Sequence, residues 1–443
     1  MALSGLDIYK LLPKTNCKDC GFPTCLAFAM QIAKKAVTVD KCPHISPQVK
    51  QKLEEASLPP IKPVEITTAD GSFIIGNETV LFRHEEKFRN PTAVGFILED
   101  NLSYEQISSR IMQIEALRFE RIGQQLTPNL IAIRQTKDRQ EFVKTVKIIS
   151  EKTKFALVLL STDIDAVKEA LGYLKGRRPI VWGIDEKNAA IFAPIIKEYQ
   201  AILAVCGKDL DQLSKVTTML QNQGVQDIVL DIGQAKPKER LWLLTQIRRL
   251  ALKKSVRSLG YPTMVIVEQD DVYQQTLEAA TYILKYGSIV LLKDSYPWQA
   301  LALLTLRQNI YSDPQKPLQI EPKVYPIGAV NQDSPLLVTT NFSLTYYTVV
   351  GEVEASKVPS YVVSVDTEGM SVLTAWAAEK FTPEKISQSL VKFGVKDLVK
   401  HKTIIIPGYV AVMSGDLEEQ SGWKVIVGPK EASGIPSFLK SWH

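Results

Sequence analysis

Histidine is scarce in this chain, with four in 443 residues. So few imidazoles leave little room for a His-rich zinc or iron centre, and any metal chemistry must rest on other ligands. Charge of one sign is also lacking. Lys and Arg number 53 against 48 Asp and Glu, a surplus too small over this length to make nucleic acid the expected partner. Long hydrophobic runs are missing as well: apolar stretches such as 155–161 and 301–306 fall far short of the ~18 residues that span a bilayer, so no membrane span is expected. Residues 1–10 lack a basic segment followed by an apolar one, which predicts a cytoplasmic rather than secreted chain. The sequence contains no G-x-x-x-x-G-K-[ST], H-E-x-x-H, G-x-S-x-G or G-x-G-x-x-G. Readings as a phosphate cradle, zinc protease, serine nucleophile or dinucleotide site therefore lack support. A 45% apolar and 23% charged composition excludes disorder. At ~150 residues per domain, about three globular domains are expected.

Cysteine is infrequent but not scattered. Four of the five fall at Cys17, Cys20, Cys25 and Cys42, a C-x2-C-x4-C-x16-C pattern in the first tenth of the chain. In a reducing compartment, clustered thiols point to metal rather than disulfides. Gly21 and Pro23 supply turns to the loop. Thr24 is placed to cap a helix running to about Ala36, with Leu26, Ala29, Met30 and Ala33 on one face. Three sulfurs from one short loop and a fourth from a distance is a common way to hold a 4Fe-4S cubane. Zinc remains the alternative, although its modules more often use two separated C-x2-C knuckles. Cys206 follows an apolar run and reads as a buried core thiol.

Four domains follow from the punctuation. Residues 1–58 form the 4Fe-4S module; 59–91 are a proline-rich linker and a small β arm of two or three strands with a turn at Gly76-Asn77. Apolar runs at 93–98, 130–133, 155–160, 179–184, 202–205, 228–232, 263–267 and 288–292, each followed by helical periodicity, predict a TIM (β/α)8 barrel over 92–322. A large open sheet would give similar alternation. Polar residues at the strand ends (Glu99, Asp100, Arg134, Asp163, Asp185, Asp231, Glu268, Lys293) read mostly as helix caps and first-turn acids.

After a proline-bearing stretch at 315–326, residues 323–443 predict an open parallel α/β domain of flavodoxin or Rossmann type. Its strands are expected at 336–340, 361–365, 403–406 and 424–427. Thr339-Thr340-Asn341, Asp366 to Ser371, Pro407-Gly408 and Ala432-Ser433-Gly434 follow these strands. Small and hydroxylic residues therefore line the edge where such sheets bind ligands. Met370-Ser371-Val372-Leu373-Thr374 is more apolar than a phosphate loop and could pack under a broad macrocycle.

Together, the cysteine spacing, the eight-fold βα region and the 339–343 and 366–374 stretches resemble the large (gamma) subunits of corrinoid iron–sulfur proteins of the anaerobic acetyl-CoA (Wood–Ljungdahl) pathway, over essentially the whole chain. The resemblance implies a 4Fe-4S cluster, a TIM barrel and a C-terminal corrinoid-binding domain that carries methyl groups on cobalt for carbon dioxide fixation. It implies a small barrel-fold partner subunit in a heterodimer. It further implies that Co(I) accepts a methyl group from methyltetrahydrofolate through a separate methyltransferase and passes it to acetyl-CoA synthase, with the cluster returning Co(II) to service using a low-potential electron donor. No catalytic side chain is expected. Many corrinoid proteins ligate cobalt through a D-x-H-x-x-G histidine; His44, His84, His401 and His443 all lack that context, so a base-off cobamide without a His ligand is expected. From loop position and resemblance together, Met370, Ser371, Val372, Leu373 and Thr374 would run beneath the corrin. Thr340, Thr345, Gly408, Ser433 and Gly434 would hold its amides and nucleotide tail. Two other readings stand beside this one: a folate-dependent methyltransferase built on the barrel, and a scaffold clipped by zinc.

Overall fold

The computed structural model describes residues 5–34, 36–47, 49–50, 53, 59–233 and 235–442. The chain folds as two compact units, residues 1–119 with 126–311, and residues 120–125 with 312–443.

In the first unit, short helices Gly5–Leu11 and Cys25–Ala33 and a 3-10 turn Val39–Lys41 surround a small core of Ile8, Leu12, Cys25, Phe28, Ala29, Ile32, Val39 and Leu53. Thr24 caps the second helix as expected, accepting from the Ala27 N–H at 3.1 Å. Its buried face is not the expected one: Leu26 and Met30 are exposed, and Cys25, Phe28, Ala29 and Ile32 point inward. The inward turn of Cys25 sets this register, because positions three, four and seven residues later share its side of a helix.

An antiparallel hairpin, β1 (Val64–Thr67) and β2 (Ser72–Ile75), comes next. Its turn lies at 68–71, and Gly76-Asn77 follow the second strand rather than forming the turn. All eight expected barrel strands are present: β3 (Ala93–Glu99), then, after a small hairpin of β4 (Phe119–Arg121) and β5 (Gln124–Leu126), β6 (Leu130–Arg134), β7 (Ala156–Leu160), β8 (Ile180–Ile184), β9 (Ile202–Cys206), β10 (Ile228–Asp231), β11 (Thr263–Val267) and β12 (Ile289–Leu292). They form a closed barrel, the last strand pairing parallel with the first from Ile289↔Ala93 to Leu292↔Phe96. That pairing separates a barrel from an open sheet. The runs are apolar throughout because both faces are covered: Val94, Phe96 and Leu98 pack outward under the helices, while Ala93 and Ile97 fill the interior. Gly95 also faces a neighbour closely, since a Cβ there would lie 2.6 Å from Leu130 Cβ. Val64, Ile66 and Ile75 of the hairpin belong to the interior cluster and plug it.

The second unit holds a five-stranded sheet ordered β13-β15-β14-β16-β17, with β13 (Val324–Ile327), β14 (Leu336–Thr340), β15 (Ser360–Val365), β16 (Thr403–Ile406) and β17 (Lys424–Val427). Four strands are parallel, as expected. The fifth, β13, is antiparallel and lies in the stretch read as a linker. As an edge strand it tolerates Pro326, which has no N–H to donate. Helices Ser343–Ser356 and Ile435–Lys440 cover one face and Pro383–Lys392 and Ser414–Ser421 the other. The tip of the β4–β5 hairpin also belongs here: Ile122 and Gly123 turn it at φ 56° and 68°, and Ile122 is buried with its N–H donating to Tyr347 Oη at 2.8 Å. A β-branched residue at positive φ is rare, and here its burial and hydrogen bond hold it.

Candidate functional site

The cysteine loop is shaped by polar ties around each sulfur. Asn16 Oδ1 accepts the Cys25 N–H at 2.8 Å, fixing the residue before Cys17 to the start of the helix. The Gly21 N–H donates to Lys18 O at 2.8 Å and closes a turn around Cys20. Cys42 ends the 3-10 turn, its N–H donating to Val39 O at 3.2 Å. His44 Nε2 lies 2.6 Å from Asp19 Oδ2, joining the 42–44 segment to the loop. Burial pushes the Cys42 thiol up, and the sulfurs of Cys20, Cys17 and Cys25 add to that push. Among the described residues, Cys17 Sγ, an Asp19 carboxylate oxygen and a His44 ring nitrogen all lie within 4.8 Å of one another. Cys17 is exposed, Cys25 buried, and the other two lie between. Such a set, walled on one side by Phe28 and Ile32 and open on the other, is suited to a metal group that must exchange something with the outside.

At the barrel mouth the strand-end residues serve structure. Asp163 caps the helix Ile164–Tyr173, Asp100 accepts from the Thr136 and Lys137 backbone, and Asp185 accepts from Lys187 and Asn188. Arg134 pairs with Glu268 and Lys293 with Asp270. Asp231 is buried, accepting from Trp182 Nε1 at 2.5 Å and the Gly233 N–H at 3.0 Å, and burial raises its pKa above the usual carboxylate range. Cys206 Sγ sits 3.5 Å from the same carboxylate, and burial pushes that thiol well up, which disfavours the thiolate.

The second unit contains a cavity of about 360 Å³ at the carboxyl ends of β14 and β16. The connection from β14 leads to β15 on one side, while β16 leads to β17 on the other. This is the topological switch point, where open α/β sheets bind ligands. Leu337, Thr339, Ile405 and Pro407 form its floor; Leu344, Thr345 and Thr348 of the helix Ser343–Ser356 form one wall, and Ile435 and Phe438 another. The lining is mostly apolar. Thr339 Oγ1 is buried with no hydrogen-bond partner, and Leu344 and Tyr409 stay exposed at the rim.

Of the residues expected at this site, Thr345, Ser371 and Val372 line the cavity. Met370, Leu373 and Thr374 lie on the same segment, with Thr374 Oγ1 3.0 Å from Ser371 Oγ. Thr340 is fully buried and is not among the lining residues; it is Thr339, one residue earlier, that lines the cavity. Gly408 packs two loops together: a Cβ there would lie 2.6 Å from Gly428 O and 2.7 Å from Lys430 N. Gly434 likewise abuts Pro429, and Ser433 is exposed beside it. Sequence reasoning missed Asn341 as a site residue. Its Oδ1 accepts from Thr367 N at 2.9 Å, Thr367 Oγ1 at 3.0 Å and Gly369 N at 3.0 Å, and its Nδ2 donates to Gln319 and Asp366 at 3.2 Å each. This one amide sets the loop that leads into Met370 to Thr374. Asn at a strand end was the only available signal.

Comparison with known proteins adds the lineage. Residues 64–439 match the family "CO dehydrogenase/acetyl-CoA synthase delta subunit", and residues 12–44 match "Putative Fe-S cluster". A corrinoid/iron-sulfur protein large subunit from Moorella thermoacetica is 43% identical over 442 residues, covering 100% of this chain and 99% of that protein. The chain belongs to the corrinoid/iron-sulfur protein large-subunit family. The family reaches into archaea: the acetyl-CoA decarbonylase/synthase complex subunit gamma of Methanothermobacter thermautotrophicus is 35% identical over 99% of each chain. Among solved structures, dihydropteroate synthase from Thermus thermophilus is similar over 56% of this chain and 100% of that one, at 11% identity and TM-score 0.40. In this corrinoid/iron-sulfur large-subunit homologue, no helix among the described residues is long and apolar enough to cross a membrane.

Proposed function

We propose that the chain is the cofactor-bearing subunit of a methyl carrier in the acetyl-CoA pathway, with a 4Fe-4S cluster on Cys17, Cys20, Cys25 and Cys42 and a cobamide over the cavity of the second unit. The observation that carries this is the pairing, in one chain, of a four-thiol loop with an apolar cavity at a switch point whose buried Thr339 hydroxyl has no protein partner. An orphaned hydroxyl in an apolar wall fits a ligand that is broad and apolar with a few hydrogen-bonding groups. When bound, the cobamide supplies a cobalt centre that accepts a methyl group from methyltetrahydrofolate through its methyltransferase and yields it to acetyl-CoA synthase, while the cluster supplies single electrons to recover oxidised cobalt.

The chain's residues bind and orient rather than react. Asn341 holds the 366–370 loop, and Met370, Ser371, Val372, Leu373 and Thr374, which follow it, would contact the corrin. Thr339 and Thr345 offer hydroxyls, and Gly408, with Ser433 and Gly434, keeps the loops after β16 and β17 close enough to enclose the nucleotide tail. In the second unit, His401 bonds the Ser334 carbonyl at 2.9 Å, before the opposite end of β14. The cobamide would be base-off, without a histidine ligand from this chain, and a weaker donor on its metal would make the reduced state easier to reach. The partners that follow are a small corrinoid iron–sulfur subunit, the methyltransferase, the synthase and a low-potential donor.

Metal analysis with a visible spectrum tests the reading. About four iron and one cobalt per chain are expected, one cubane and one corrinoid. A colourless protein with zinc and neither iron nor cobalt would refute it.

A further inference from the structure

Charge is absent from the cavity of the second unit except at one point. Of the residues that line it, only Lys430 is charged, and no aspartate or glutamate is among them. Lys430 follows β17, and the backbone beside it is fixed: the Gly408 N–H donates to Pro429 O at 3.0 Å, and a Cβ on Gly408 would lie 2.7 Å from Lys430 N. The residue itself is exposed. Among the described residues no carboxylate pairs with it. Glu431, next in the chain, accepts instead from the Tyr409 hydroxyl, whereas Lys380 and Lys323 of the same unit are paired with Glu368 and Glu321.

The helix Ser343–Ser356 adds charge of the same sign. Its start borders the cavity through Phe342, Leu344 and Thr345. Phe342, the N-cap, has no side-chain oxygen to offer the first N–H groups, and no acidic residue stands in the first turn. The helix therefore keeps the partial positive charge of its N-terminus, ~0.5 of a unit charge. Thr339 is an independent sign of a ligand: it is 1% exposed and lines the cavity, and its hydroxyl has no partner. A lining that is mostly apolar, holds unused donors and carries charge of positive sign alone is matched to a ligand with apolar area and a single anionic group.

We infer that Lys430 takes the phosphodiester of the cobamide's nucleotide tail, and that the chain thereby selects complete cobamides over cobinamides, which end before the phosphate. The inference rests on the cobamide reading above. The side chains of a corrin are neutral amides and its cobalt is positive, so neither offers an ammonium a counter-charge. The phosphodiester of the tail, with one negative charge, does. Lysine suits this task as a point charge with three donors on a flexible stem, able to meet the phosphate at the rim while the apolar remainder of the tail enters the cavity. Without that ammonium the phosphate would stand uncompensated beside an apolar wall. No bond is made or broken.

Equilibrium dialysis of the full, corrinoid-free chain against three corrinoids, read from the visible spectrum of the bound fraction, tests the inference. Cobalamin has both phosphate and base, cobinamide phosphate has the phosphate without the base, and cobinamide has neither. Lys430→Gln should weaken binding of the two phosphate-bearing corrinoids about tenfold, the scale of one charge-assisted hydrogen bond. It should leave cobinamide binding unchanged, which also shows that the variant is folded. Lys430→Arg should bind all three as the wild type does. High salt should weaken the wild type toward the Lys430→Gln variant for the phosphate-bearing pair. A Lys430→Gln variant that holds cobinamide phosphate as tightly as wild type overturns the inference, and so does an equal loss for all three corrinoids or a Lys430→Arg variant as weak as Lys430→Gln. A wild-type chain that retains none of the three instead defeats the cobamide reading itself, so the two failures are distinguishable.

Discussion

Replacing Asn341 by Ala should be among the most damaging single changes in the second unit. The amide is 1% exposed and makes five hydrogen bonds, three of them accepted from Thr367 and Gly369, which are also buried. Truncation strands two buried backbone N–H groups, and each orphaned donor costs ~1–3 kcal/mol. It also removes the ties that hold Glu368 and Gly369 at φ 56° and 76°. A total loss of ~3–4 kcal/mol is expected, toward the upper end for point substitutions. Thr367→Val removes only the hydroxyl and should cost ~1 kcal/mol. Asn341→Asp keeps the acceptor but sets a carboxylate where Nδ2 lay 3.2 Å from Asp366 Oδ1, so its loss should shrink as pH falls and the new acid protonates. Urea unfolding followed by tryptophan fluorescence reads the stability, and cobalt content reads the loop. If Asn341→Ala unfolds within ~1 kcal/mol of wild type, the loop is held by something else; if it is unstable but binds cobamide at full stoichiometry, the loop does not shape the site.

Thr339→Val should separate stability from binding by sign: with no partner to lose, the hydroxyl's removal should leave the cofactor-free protein as stable or slightly more so, while cobamide content falls. A drop in both, or in neither, would contradict the role given to this hydroxyl. Asp231→Asn should raise the melting temperature near pH 7 by about 2–4 °C for each kcal/mol gained. Burial raises the Asp231 pKa, so the native state favours the protonated form; that contribution is full below the unfolded pKa and is lost as pH rises through the folded one. The difference between variant and parent should therefore fade by about pH 4 in a calorimetric series, and a constant difference across pH would rule this out. Gly408→Ala should destabilise the second unit by ~1–3 kcal/mol, because the added carbon meets backbone atoms of Gly428 and Lys430 rather than movable side chains. Chemical denaturation showing no change would mean that the two loops are not in contact.

The barrel was legible because its strands are covered on both faces and so read as unbroken apolar runs; each of the eight begins and ends within two residues of its run. The four cysteines were equally plain, since chain spacing alone brought them to notice. What escaped notice depends on partners distant in sequence. The β4–β5 hairpin carries Glu120, Arg121, Gln124 and Gln125, a polar pattern that reveals nothing until Ile122 is seen buried beside Tyr347. The inward face of the Cys25–Ala33 helix was misread because Leu26 and Met30 are as apolar as Phe28 and Ile32, and only the direction of Cys25 decides between them. The cavity is assembled from Leu337, Thr348 and Phe438, three segments that no local pattern connects. Asn341 matters through a loop that begins at Asp366, which a strand-end asparagine cannot announce by itself.

The hairpin that plugs the barrel also fixes where the molecule could be shortened. Val64, Ile66 and Ile75 are at most 1% exposed, and each fully buried aliphatic side chain is worth ~1.5–3 kcal/mol. Lys62 N–H is bonded to Gly260 O at 3.0 Å, and Arg178 N–H to Thr67 Oγ1 at 2.6 Å. A protease cut before residue 59 would leave the hairpin covalently joined to the barrel it corks, whereas a cut after residue 76 would sever that join and leave the cork held by packing alone. The seam at which an ancestral gene could have gained, lost or exchanged a cysteine-bearing head therefore lies on the module's side of β1, ahead of the hairpin rather than behind it.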